Sequence, residues 1–167
     1  MDVTVEEIKS LRERTGAGIM DCKRALEDSK GNIAKAEEIL KEIGLAAAAK
    51  KSDRTTSEGL IQSYIHSGNR IGALVELACE TDFVARTAEM KELAHNLAMQ
   101  VAAMSPVYIS SEEREPQEER PAEEICLLQQ TFIKDQSRKV EDVVQEVKAK
   151  VGENIRINRL ARFALGD

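Results

Sequence analysis

Near Arg54 the apolar residues of this chain change period, and that change limits the fold more than any other feature of the sequence. Upstream they recur every three or four residues. Downstream, "GLIQSYIHSGNRIGALVELACE" alternates with a period of two. The first pattern buries one stripe of a helix and the second one face of a sheet, so the chain must hold both. Residues 1–54 read as a helical module with its connector, and residues 55–167 as an α+β core.

In the first part Thr4 and Glu7 have the spacing of a capping box, ahead of Val5, Ile8 and Leu11, and Thr15-Gly16 ends the run. A second helix carries Ile19, Cys22, Ala25 and Leu26 and ends near Gly31. Asn32 is placed to cap a third, with Ile33, Ala36, Ile39, Leu40 and Ile43, closed by Gly44. Three short helices predict a compact bundle. From Leu45 to Gly59 the sequence passes from Ala-rich to polar, as expected of a partly helical connector leaving the bundle.

In the second part, Ser67-Gly68-Asn69-Arg70 separates two alternating runs, predicting a hairpin over 59–79 with Ile71, Ala73, Val75, Leu77 and Cys79 on one face. Thr81 is the natural cap of a helix over 82–104, whose stripe is Met90, Leu93, Leu97, Val101 and Met104. The loop 105–124 contains "EEREPQEERPAEE", seven acids with two prolines and no large apolar residue, and is expected to be solvated and mobile. A short helical piece around Ile125–Phe132 follows. A helix over 138–151 carries Val140, Val143, Val144, Val147 and Val151 and stops at Gly152. The last strand, 154–165, puts Ile155, Ile157, Ala161, Phe163 and Leu165 on one face, interrupted by Arg159. It is expected to complete a small three-stranded antiparallel sheet packed with helices.

Several function classes lose ground. No run approaches the roughly 20 apolar residues of a membrane span, and the N-terminal residues lack a basic stretch followed by an apolar one, so no membrane role and a cytoplasmic location are expected. Cys22, Cys79 and Cys126 are odd in number, widely spaced and on apolar faces, which suits reduced core thiols. Nucleic acid is disfavoured. The net charge is −6, residues 1–54 carry 11 basic and 11 acidic groups against 13 and 19 in the remainder, and aromatic residues make up only 3%. His66 and His95 lack partners at metal-ligand spacing, and phosphate-binding or nucleophile motifs are absent, so no metal, cofactor or catalytic residue is expected. A protein-binding surface is what remains.

Three stretches carry a family resemblance. "RERTGAGIMDCKRALEDSKGNIAKAEEIL", Arg12 to Leu40, closely resembles the first signature of the elongation factor Ts family, and "ETDFVAR", Glu80 to Arg86, resembles its second. "VGENIRINRLARFALG" looks like the end of the core in short bacterial members. Together they span essentially the whole chain in family order. The resemblance implies a nucleotide exchange factor for elongation factor Tu, with a bundle similar to ubiquitin-associated domains that docks on the G domain through Lys9, Leu11, Arg12, Ile19 and Met20. It further implies that Thr81, Asp82, Phe83 and Val84 insert beside the nucleotide site and displace helices supporting the bound magnesium, and that Val151 and Gly152 make another contact. Methionine is common in the family where Ile19 stands. No bond is made or broken in this activity, so the family implies no enzyme.

Periodicity and resemblance disagree about Phe83. Phe83, Met90, Leu97 and Met104 are spaced by seven, which places Phe83 in the core. The resemblance makes it an exposed wedge instead, since a first-turn residue can lie past the end of the core while keeping its azimuth. A rival reading is a scaffold that docks on a G domain without touching nucleotide. Longer family members add a second sheet-bearing subdomain and a coiled-coil insertion, whereas short ones are expected to act as homodimeric pairs. The last strand, "RLARFALG", holds no cysteine for a covalent pair.

Overall fold

The computed structural model describes residues 3–167. Helices α1 (Val5–Thr15), α2 (Ile19–Asp28) and α3 (Ile33–Ala49) form the N-terminal bundle. The capping box is present: the Thr4 amide donates to Glu7 Oε2 at 2.8 Å and the Glu7 amide donates to Thr4 Oγ1 at 3.3 Å. Leu11, Cys22, Ala25, Leu26, Ala36 and Leu40 are the buried centre, while Val5 and Ile19 face solvent.

The third helix departs from expectation. It does not close at Gly44 but continues to Ala49, through the Ala-rich stretch. Gly44 lies against Ala149, where it allows close approach and leaves the helix intact. This brings α3 onto α7 (Val140–Val151). The segment after α3 is then held, with Lys51 Nζ donating to the Gly152 carbonyl at 2.6 Å and Asn154 Nδ2 donating to the carbonyls of Ser52 and Arg54 at 2.9 and 2.8 Å.

Strands β1 (Glu58–Ile65), β2 (Ile71–Cys79) and β5 (Ile155–Ala164) form an antiparallel sheet in the order β1-β2-β5. Asn69, at φ 57°, and Gly68, at φ 89°, turn the first hairpin. Ala73, Val75, Leu77 and Cys79 face inward as the alternation requires. Helix α5 (Ala88–Met104) packs on that face, and α7 packs beside it.

The last strand corrects the sequence reading. Glu76 pairs with Arg159 but Leu77 pairs with Ile157, so Asn158 is an extra residue. Such a bulge reverses the inward and outward sets beyond it. Ile155 and Ile157 pack on the core, and past the bulge Leu160 takes over that role. Ala161, Phe163 and Leu165, expected on the same face as Ile155, point the other way; Phe163 is 74% exposed.

The expected 82–104 helix is two helices. α4 (Asp82–Ala85) ends at Arg86, and Thr87 caps α5, its Oγ1 accepting from the Met90 amide at 3.2 Å and donating to the Val84 carbonyl at 2.8 Å. Thr87 competes for these backbone groups and breaks the continuous period.

The acidic loop is more organised than its composition implies. Arg114 Nη2 donates to the carbonyls of Glu118 and Arg120 at 2.9 and 2.7 Å, and Arg120 grips Glu118, holding that carboxyl down to about 2. Beyond it, the helical piece expected around Ile125–Phe132 is the end of α6 (Ala122–Ile125) and a 3-10 turn at Leu127–Gln129, and these lead to a small, unexpected hairpin of β3 (Thr131–Phe132) and β4 (Asp135–Lys139). Gln100 and Gln130, both fully buried, join it to α5: Gln100 Nε2 donates to Gln130 Oε1 at 3.2 Å and Gln100 Oε1 accepts from the Ile133 amide at 2.9 Å.

Candidate partner-binding site

Phe83 is 80% exposed, whereas its neighbours Val84 and Ala85 are 9% and 8% exposed and belong to the main core. The four-residue helix α4 is therefore anchored by its underside while its aromatic side chain projects. Phe83 is therefore not a core residue: the helix that carries the Met90 stripe begins only after Thr87, and Phe83 belongs to the separate turn before it. Exposing so large an apolar side chain on a fixed turn suits a contact with another molecule.

The mounting is built from capping chemistry. Thr81 is extended (φ −128°, ψ 153°), and its Oγ1 accepts from the Val84 amide at 3.4 Å. The same hydroxyl donates to Glu153 Oε1 at 2.6 Å, and Glu153 Oε2 accepts from the amides of Glu80 and Thr81 at 3.1 and 3.0 Å. In return Glu80 Oε1 accepts from the Asn154 amide at 2.7 Å. Below them, burial first and then the Glu153 charge push the Cys79 thiol up, and its Sγ lies 3.1 Å from the Thr81 carbonyl, as an inert core thiol should. Asp82 pairs with Arg86 at 2.9 Å across the exposed side of the turn.

Val151 and Gly152 end α7 beside this turn. Gly152 adopts φ 73°, the left-handed cap that lets the chain reverse into Glu153 and β5. Thus the structure brings Thr81–Val84 and Val151–Gly152 together through Glu153. The bundle residues form a separate surface. Lys9 and Arg12 are exposed on α1, and Ile19 and Met20 are exposed on the first turn of α2. Leu11 departs from the expected contact set, being fully buried in the bundle, because its place in the α1 stripe points it at Cys22 and Leu26.

Sequence reasoning missed Glu80, Glu153 and Asn154. Each stands next to a residue it identified, but nothing in a single acid or amide indicates which amides it will meet. Asn154, almost wholly buried, was the more detectable, since a short polar residue after a Gly cap and before an apolar strand needs partners.

The sequence matches the family model "Elongation factor TS" over residues 5–119 and 115–167. It is 46% identical to elongation factor Ts of Thermotoga petrophila, covering 100% of this chain and 98% of that protein. It is 47% identical to that of Carboxydothermus hydrogenoformans (99% and 90% covered) and 46% identical to that of Herpetosiphon aurantiacus (99% of each). With the bundle, the antiparallel sheet and full-length similarity in agreement, this chain belongs to the elongation factor Ts family, the non-enzymatic guanine-nucleotide exchange factors of elongation factor Tu.

Proposed function

We propose that this protein binds elongation factor Tu·GDP and drives Phe83 into the neighbourhood of the nucleotide, disturbing the magnesium and phosphate site so that GDP leaves and GTP reloads. The observation that supports this is the exposure of Phe83 on a turn that the buried Val84 and Ala85 anchor to the core. Covering one aromatic side chain contributes about 2 kcal/mol or more at an interface centre. If that contact forms only in the loosened state of the G domain, it favours that state by the same amount. Thr81, Asp82 and Val84 fix the wedge, and Val151 and Gly152 make an adjoining contact. Lys9, Arg12, Ile19 and Met20 dock the bundle on the G domain, with Leu11 supporting them from behind.

Reciprocity supplies the test. A factor that weakens GDP binding must itself bind more weakly, by the same factor, when GDP is present. Calorimetric titration of elongation factor Tu with and without saturating GDP should therefore give different affinities. Equal affinities would favour a scaffold that docks without touching the nucleotide site.

We further propose that two copies act as a pair through the outer face of the sheet. The bulge and strand register align Ile65, Gly72 and Phe163 in one row, Ser63, Leu74 and Ala161 in the next, and Ile61 with the Glu76–Arg159 ion pair in a third. A Cβ on Gly72 would stand 2.7 Å from Ile65 Cδ1, so the Ile65 side chain lies across the glycine beside Phe163. This apolar face suits packing against its two-fold copy. No helix among the described residues is long and apolar enough to cross a membrane, and a cytoplasmic location is consistent with the family function.

A further inference from the structure

The β2–β5 ladder ends with Cys79 opposite Ile155. Both strands are fully paired at that point, yet the two chains continue to bind each other past it. Glu153 accepts three hydrogen bonds from Glu80 and Thr81, Glu80 accepts one from Asn154, and Asn154, 1% exposed, reaches the carbonyls of Ser52 and Arg54. Lys51 closes the figure at the Gly152 carbonyl, and Arg54 lies 3.5 Å from Glu80. Holding the sheet together does not require these bonds. What they fix is the backbone of Thr81, and hence the direction in which α4 leaves the sheet.

We infer that Glu153 is a positioning residue for exchange: its carboxylate locks Thr81 to the Gly152 turn and, through Asn154 and Lys51, to the end of α3, so that Phe83 pushes against the whole body of the protein. This rests on the wedge role of Phe83. A wedge on a yielding stem loses its push to bending of the stem, since the softer of two coupled elements deforms first. Charge-assisted bonds are suited to the task, being shorter and roughly twice as strong as neutral ones. The bidentate arrangement also fixes direction, because one oxygen takes both amides and the other takes the hydroxyl. Glu153 is half-buried, and its carboxylate is engaged by Glu80 and Thr81, so it acts through Thr81.

A double-mutant cycle with Phe83 tests this. Release of a fluorescent GDP from elongation factor Tu is followed over a range of factor concentrations for the native chain, Glu153→Ala, Phe83→Ala and the double variant. Glu153→Ala is expected to lower the rate at saturation about tenfold while moving the half-saturating concentration by less than about threefold. In the Phe83→Ala background it should add less than about twofold, since a residue acting only through the wedge has nothing left to position. Partial recovery by Glu153→Gln, which keeps one acceptor oxygen, is also expected. A saturating rate unchanged by Glu153→Ala, with Phe83→Ala slow, overturns the inference and leaves the wedge standing. Equal losses in both backgrounds overturn it too, because Glu153 then acts by general stability. Native exchange by Phe83→Ala removes the wedge and this inference with it. Should Glu153→Ala lose cooperative melting, Glu153→Gln is carried through the same cycle with a smaller expected loss, about threefold, read in the same way.

Discussion

Gly44 on α3 faces Ala149 on α7 so closely that a Cβ at position 44 would stand 3.0 Å from the Ala149 Cβ. The contact lets one 17-residue helix belong to the bundle at its start and to the core at its end. Gly44→Val should force the two helices apart at a cost of about 1–3 kcal/mol by overpacking, read as a lower denaturant midpoint. Gly44→Ala should cost less, because the better helix former recovers up to about 1 kcal/mol. An undiminished midpoint for Gly44→Val would show that α3 and α7 are not held in this contact.

The outer sheet face makes a second prediction. Phe163→Glu should turn a dimer into a monomer in sedimentation, while changing the stability of the separate chain by no more than about 0.5 kcal/mol, since Phe163 touches little of its own core. A native chain that sediments as a monomer at all concentrations would refute the paired arrangement.

The buried glutamines predict a stability effect far from the site. Gln130→Leu removes one of the two acceptors of Gln100 Nε2, which keeps the Thr131 carbonyl at 3.0 Å, and leaves the Glu124 carbonyl, which takes a 2.9 Å bond from Gln130, without its donor. Leaving buried polar groups unpaired costs about 1–3 kcal/mol, measurable as a shifted urea midpoint. Exchange at saturation should be unaffected in the folded fraction.

Acid should act on the capping box. Hydrogen bonds from the Thr4 backbone and then its hydroxyl hold the Glu7 carboxyl below the usual carboxylate range. A folded pKa lower than the unfolded one means stability that is present above the ordinary value and lost as pH falls through the depressed one. Glu7→Ala should therefore lower the melting temperature near neutral pH, and the gap between variant and native should narrow as the pH falls through the depressed value. A gap independent of pH would exclude the Glu7 charge as the cause.

Legibility of the sequence followed how local each determinant was. The capping box, Thr81 as a cap, the first hairpin and the valine stripe of α7 are set by residues within a few positions of one another, and the structure has them. Gly44 misled because a glycine that ends a helix and one that admits a neighbouring helix look alike until the neighbour is known. Asn158 misled because a bulge depends on the partner strand, and without it Phe163 falls on the wrong face. The hairpin at "DQSRK" carries no apolar alternation to announce it. At the site, the exposure of Phe83 was readable only through resemblance, since its spacing alone pointed to the core. Glu80 and Glu153 are 73 residues apart in the chain and joined by one bond from an amide, a relation that no spacing rule contains.

The most direct measurement is stopped-flow release of a fluorescent GDP from elongation factor Tu, alone, with the native chain and with Phe83→Ala. The account predicts a large acceleration by the native chain, and a loss in the variant of about 30-fold or more in rate, corresponding to roughly 2 kcal/mol of wedge contact. The melting temperature of Phe83→Ala should stay close to native, because so little of the side chain is buried in the free protein. A variant that accelerates release as well as the native chain would contradict the central claim.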